Sequence, residues 1–115
     1  MDDSQGITQV VMALKLGKRL DHLHIDCSKR INMTSNSLEI LAEGLKGYDT
    51  LTSFELVFND NPNICDKGVD VILSMIEKEM PKIHHLVLDF DKNSKVTKEA
   101  LQRCQDYCLK VAKDD

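Results

Sequence analysis

A chain of 115 residues is the size of one domain. Apolar residues make up 42 % and charged residues 30 %, a balance that predicts a soluble globular chain and excludes a disordered one. The net charge of −4 comes without a basic stripe, and aromatics are only 4 % with no tryptophan, so neither phosphate neutralisation nor base stacking points to nucleic acid as a partner.

The first element expected is a helix over 4–15, carrying Gly6, Ile7, Val10 and Leu14 on one face and stopped by Gly17. A strand follows near 22–27, because Leu23, Ile25 and Cys27 alternate with polar residues after Leu20. Met33 and Thr34, a potential cap, lead into a helix near 36–46 with Ser37, Leu38, Leu41 and Leu45 facing one way and Gly47 behind. The second strand is expected at 53–58, from Phe54, Leu56 and Phe58 after Leu51. The turn-rich stretch Asn59-Asp60-Asn61-Pro62-Asn63 and Ile64 follow it. A helix near 67–79 then carries Gly68, Val69, Ile72 and Ile76, with Asp66 placed to cap it and Pro81 to end it. The third strand, 85–90, uses Leu86, Leu88 and Phe90 after Ile83. Asp91-Lys92-Asn93-Ser94 and Val96 follow, then Thr97 as cap and a helix over 98–111 with Ala100, Leu101, Cys104 and Cys108.

These elements are one pattern written three and a half times. The anchors Leu20, Leu51 and Ile83 stand 31 and 32 residues apart, and every later apolar position keeps that spacing. The small residues Gly6, Ser37, Gly68 and Ala100 fall at one position of the pattern, where a helix must approach its neighbour closely. The chain therefore divides into a half repeat, 1–19, and repeats 20–50, 51–82 and 83–115 of a single domain. One strand and one helix cannot bury their apolar faces alone. Stacked units bury a continuous interior, with a parallel sheet on one side and helices on the other. The crossovers between parallel strands are expected to be right-handed.

The second unit, Leu51-x-x-Phe54-x-Leu56-x-Phe58-x-x-Asn61 running into Ile64-Cys65-Asp66-Lys67-Gly68, Ile72 and Ile76, resembles the ribonuclease-inhibitor-like class of leucine-rich repeats, in the long variant common in protozoan proteins. The resemblance spans roughly residues 4–108. It implies an α/β fold, a short right-handed leucine-rich-repeat solenoid with three parallel strands on one face and about four helices on the other. It also implies loop-to-loop hydrogen bonds from Asn61 and Asn93. The first unit departs from the class with Arg30 at the position of Asn61, and the third with Val96-Thr97-Lys98-Glu99-Ala100 where glycine is usual.

The sheet's inner surface is the usual binding surface of such arrays. Residues alternating with the buried ones form three columns there: His22, Ser53 and His85; His24, Glu55 and Val87; Asp26, Val57 and Asp89. Val57 and Val87 are expected at the desolvated centre of a protein contact, with Glu55 and His85 at its rim. The edge strands 20–27 and 83–90 carry neither proline nor a lysine run, so self-association through the ends, or completion by another chain, is also expected.

Sharper chemistry finds little support. Cys104 and Cys108 lie four residues apart on one helix, and His22, His24, His84 and His85 are potential zinc ligands. The two cysteines, however, occupy the core register of Leu41, Ile72, Leu45 and Ile76, and packing accounts for them. Cys27 lies near His22 and His24 in sequence, but alternation points it into the core and the histidines away from it. No phosphate-loop, dinucleotide, zinc-protease or serine-hydrolase motif occurs. No apolar run approaches the ~20 residues that span a bilayer. The start, MDDSQG, lacks the basic segment of a secretory signal, so a cytoplasmic location, reduced cysteines and an unused Asn32-Met33-Thr34 glycosylation triplet are expected. The leading expectation is a non-catalytic protein–protein interaction module without cofactor or metal, a small subunit or adaptor in a larger assembly. The alternative is a regulator of a small GTPase acting through the loop residues Arg30, Asn61 and Asn93, a role the resemblance alone suggests.

Overall fold

The computed structural model describes residues 4–16, 20–28 and 33–113. Gly17, Arg30 and Asn32 lie outside them, and the surroundings of Gly6 are not described. The elements run α1 (Ser4–Leu16), β1 (His22–Asp26), α2 (Ser35–Gly44), β2 (Ser53–Val57), α3 (Asp66–Glu79), β3 (His85–Asp89) and α4 (Lys98–Lys113). This is the expected order, with ends displaced by at most two residues from the expected ones. The strands form one parallel sheet in the order β1-β2-β3. His22 pairs with Ser53 and Ser53 with His85, and this register aligns all three columns read from the sequence.

The helices pack on the face formed by Leu23, Ile25, Phe54, Leu56 and Leu86, which join the helical residues in one core. α1 packs on α2, α2 on α3, and α3 on α4. Phe54, Phe58, Leu38, Leu41, Ile72 and Ile76 are fully buried, so the interior is deepest around β2. Phe58 and Phe90 lie side by side at a ring separation of 6.0 Å. No described helix is long and apolar enough to cross a membrane.

Hydrogen bonds repeat at the same spacing as the anchors. Ser35 Oγ accepts the Cys65 N–H at 3.2 Å, and Asp66, one unit on, accepts the Thr97 N–H at 2.8 Å. Asp60 and Lys92 hold equivalent left-handed conformations, with φ of 60° and 61°, in the turns that follow β2 and β3. Gly47, with φ of 78°, ends the turn behind α2, where a side chain would be strained.

Close approach is enforced where the pattern placed small residues. A Cβ on Gly68 would stand 2.6 Å from Leu38 Cδ1, and Ser37 and Ala100 are completely buried. One glycine escaped the pattern. Gly44 lies directly under Val11, whose methyl groups fill the space a Cβ would take.

That contact explains a correction in α1. Val10 was expected in the core and is exposed, whereas Val11 is buried with Ile7 and Leu14. Both choices give a helical stripe, and Gly44 provides the hollow that selects Val11. Leu20, expected as a buried anchor, is also exposed, and its N–H is held by the Tyr48 hydroxyl at 2.7 Å. Cys27 is half-buried against the core. Asp66 does not cap α3: Cys65 is the N-cap, and Asp66 is the first helical residue, with its carboxylate turned to Thr97.

The third unit differs from the other two. Among the described residues, α4 alone brings its Cα atoms within 8 Å of a strand, β3. Ala100, Cys104 and Cys108 give α4 a small-residue face that permits this approach. Asp89 O accepts from Phe58 N–H, so the odd-numbered residues of β3 turn their backbone groups to β2 and Leu88 turns away. A backbone hydrogen bond from Leu88 reaches Cys108. The β3 edge, expected to be bare, is therefore partly covered by its own helix.

Candidate functional site

The sheet face turned away from the helices carries the nine residues that the sequence placed there. His22, His24 and Asp26 on β1 are exposed, while Ser53, Glu55 and Val57 on the central strand are half-buried. On β3, His85 is exposed, and Val87 and Asp89 are half-buried. The alternation is that of strands with one covered face and one open face.

The columns do not behave alike. In the first, Ser53 separates His22 from His85, and its small side chain leaves room for both imidazoles to lean toward the next row. Glu55 stands there. His24 Nδ1 lies 3.2 Å from Glu55 Oε2, His22 Nε2 lies 3.5 Å from the same oxygen, and His85 Nε2 lies 3.7 Å from Oε1. One carboxylate thus faces three imidazoles. Its side chain is 27 % exposed, against 49–55 % for the histidines, so it forms the floor of the cluster. The hydrogen bond with His24 is the main cause that holds the Glu55 carboxyl below its ordinary range, with further help from His85 and His22 against partial desolvation.

The opposite end of the face is acidic, and each carboxylate is tied to a turn. Asp26 Oδ1 accepts the Ser28 N–H at 3.0 Å, and bonding with Ser28 keeps its carboxyl below the usual range. Asp89 accepts from Asn59 Nδ2 at 3.1 Å and from the Asp91 N–H at 3.2 Å. Val57 lies between Asp26 and Asp89 in register, with Val87 one row away.

Sequence reasoning placed Glu55 and His85 at the rim of a valine centre. The structure makes Glu55 the centre of its own polar cluster, with the valines beside it. The available signal was the serine at position 53: in a parallel sheet, a small residue between two histidines lets both reach a diagonal neighbour in the next row.

The other chemical possibilities separate from this face. Cys27 packs with the core, across the strand from His24. Burial pushes the Cys104 thiol up to about 12 and also raises that of Cys108. Among the described residues, no group of three His, Cys, Asp or Glu side chains is placed to hold a metal ion. Asn61 and Asn93 are buried; the Asn93 side chain makes the expected contact between loops, whereas Asn61 Nδ2 donates to Asn59 O of its own loop at 3.3 Å. Asn93 Oδ1 accepts the Asn61 N–H, and Asn93 Nδ2 donates to the Phe58 and Phe90 carbonyls at 2.7 Å each. Compared with protein-family models, with curated proteins and with solved structures, the chain matches none.

Proposed function

We propose that this chain is a non-catalytic protein–protein interaction module: a short, right-handed array of ribonuclease-inhibitor-like leucine-rich repeats that serves as a small cytoplasmic subunit or adaptor. The observation that supports this reading best is the division of the sheet. One face is closed by helices, and the other presents nine side chains on a rigid parallel frame. The recurrence of hydrogen bonds at the sequence spacing supports the repeat assignment, as does the asparagine contact between successive loops.

Size limits the kind of contact. Three five-residue strands, ~4.8 Å apart and ~17 Å long, offer roughly 250 Å². A standard interface takes ~800 Å² from each partner. The partner therefore also rests on the flanking loops, or binds in the transient class. Asn61 and Asn93, two of the loop residues on which regulation of a GTPase would depend, are buried, with Nδ2 of Asn61 donating to Asn59 O and Nδ2 of Asn93 to Phe58 O. This favours docking on the sheet face over the GTPase alternative.

The test is affinity purification with quantitative mass spectrometry, comparing the native chain with a Val57→Asp/Val87→Asp double variant. Specific loss of a co-purified protein, with unchanged circular dichroism and Tm, is the expected result. Equal recovery by both chains would remove the sheet face from consideration. Acceleration of GTP hydrolysis by a candidate GTPase would move the assignment to the alternative.

A further inference from the structure

We propose that the end of the sheet face bearing His22, His24, Glu55 and His85 is an acid-gated docking site for an anionic protein segment, one rich in aspartate and glutamate. The inference rests on the sheet face being a protein-binding surface, and it adds the partner's charge and the condition for binding.

Three of the chain's four histidines converge on one carboxylate, within 3.2–3.7 Å. Histidine is the side chain whose ordinary charge change falls between pH 5 and 8. With neutral imidazoles, Glu55 gives this end of the face a charge of −1 and repels an acidic segment. With all three protonated, Glu55 offsets one positive charge and leaves two. The local change is three charges within a patch about two strand spacings, ~10 Å, across.

Among the described residues, the other carboxylates near this patch are Asp21, exposed and immediately before His22, and Asp26 and Asp89; they lower the net charge but leave the three-charge change intact. On β1, Asp26 is two residues beyond His24, ~7 Å along the strand. On β3, Asp89 is four residues beyond His85, ~13 Å away, past the ~8 Å screening length of physiological salt. Both carboxylates already accept hydrogen bonds from their own turns. On β2, the neighbours of Glu55 are Ser53 and Val57, which carry no charge. His84 precedes β3, its N–H donating to Thr52 O, and protonation there adds charge of the same sign nearby.

Protonation also has a specific structural consequence. Neutral imidazoles compete for Glu55 as hydrogen-bond donors, and at 3.5 and 3.7 Å His22 and His85 are less well placed than His24. When protonated, His22 and His85 each carry an N–H on Nδ1 as well as on the Nε2 that faces Glu55, and with side chains 55 % and 54 % exposed that second donor is open to an anionic acceptor. Glu55 is the positioning residue that keeps the three rings gathered, and His22 and His85 are the contact residues.

The experiment is fluorescence anisotropy with the whole chain and a labelled ten-residue peptide of alternating Asp and Glu, at pH 5.5 and 7.5 and fixed ionic strength. We expect binding at least about tenfold tighter at pH 5.5, since the patch gains three positive charges opposite in sign to those of the peptide. A His22→Gln/His24→Gln/His85→Gln variant should lose that difference while keeping its Tm. NMR titration of the imidazole protons gives a second measurement. Peptide should perturb the imidazole signals of His22, His24 and His85 at pH 5.5 and leave them unchanged at pH 7.5. Equal affinity at both pH values overturns the proposal, as does pH dependence that persists in the triple variant. Equally tight, pH-dependent binding of a single-stranded oligonucleotide of the same charge also overturns it, by showing simple polyanion attraction. If the peptide result is negative while the Val57/Val87 variant still loses its cellular partner, the acid gate falls and the docking face stands.

Discussion

Asn93 donates through Nδ2 to the carbonyl of Phe58 at 2.7 Å, so a side chain of the third loop closes the backbone of the second. The same amide serves the Phe90 carbonyl, and its oxygen accepts the Asn61 N–H. Three backbone groups beside the Phe58–Phe90 contact depend on one side chain that is 5 % exposed. Asn93→Ala should therefore cost about 2–3 kcal/mol, because buried groups are left without partners. The corresponding fall in Tm is roughly 10 °C, measurable by calorimetry. A change of less than about 2 °C would show that water replaces the amide at no cost.

Gly44 and Val11 form a second dependent pair. Gly44→Ala improves helix propensity by about 1 kcal/mol but drives a methyl into the Val11 side chain, where overpacking costs about 1–3 kcal/mol. The single variant should be less stable than the native chain. In a Val11→Ala background the same substitution should become neutral or stabilising. Urea denaturation of the four chains in this cycle reads that reversal of sign, and additive effects would place Val11 elsewhere.

The Asp66 carboxyl is held below its usual range, first by the Thr97 hydroxyl at 2.7 Å and then by the Thr97 N–H at 2.8 Å. A carboxyl with a lower pKa in the folded than in the unfolded chain contributes stability above the ordinary carboxylate range. That contribution is lost as pH falls through the folded value. Asp66→Asn should reduce stability at pH 7 and flatten the acid side of the stability profile below about pH 4. Thr97 Oγ1 also accepts the Ala100 N–H at 3.2 Å, so the start of α4 should fray in the same variant and show faster hydrogen exchange.

Cysteine reactivity should follow environment. Cys65 is the N-cap of α3. Bonding with Ser35 Oγ, then with the Lys67 and Gly68 backbone, holds its thiol below the ordinary range. Cys104 is buried, and burial pushes it up to about 12. Iodoacetamide at pH 8 should modify Cys65 first and Cys104 last, read by peptide mass spectrometry. Modification of Cys104 at the rate of Cys65 would mean that α4 opens from β3 in solution.

The amino-acid order by itself determined the seven elements, the parallel pairing and the three columns of the open face. All three follow from one recurring spacing, which brings matching positions of successive strands into register. Spacing does not decide how far a helix turns about its axis. Val10 and Val11 both complete a stripe with Ile7 and Leu14, and only the hollow over Gly44 separates them. Nor does spacing show that α4 closes on β3, since that approach depends on the combined size of Ala100, Cys104 and Cys108. The gathering of His22, His24 and His85 around Glu55 was hidden for a similar reason. A column gives the direction of each side chain, but reach across strands depends on rotamers and on the small residue between them, which exist only once the sheet is assembled.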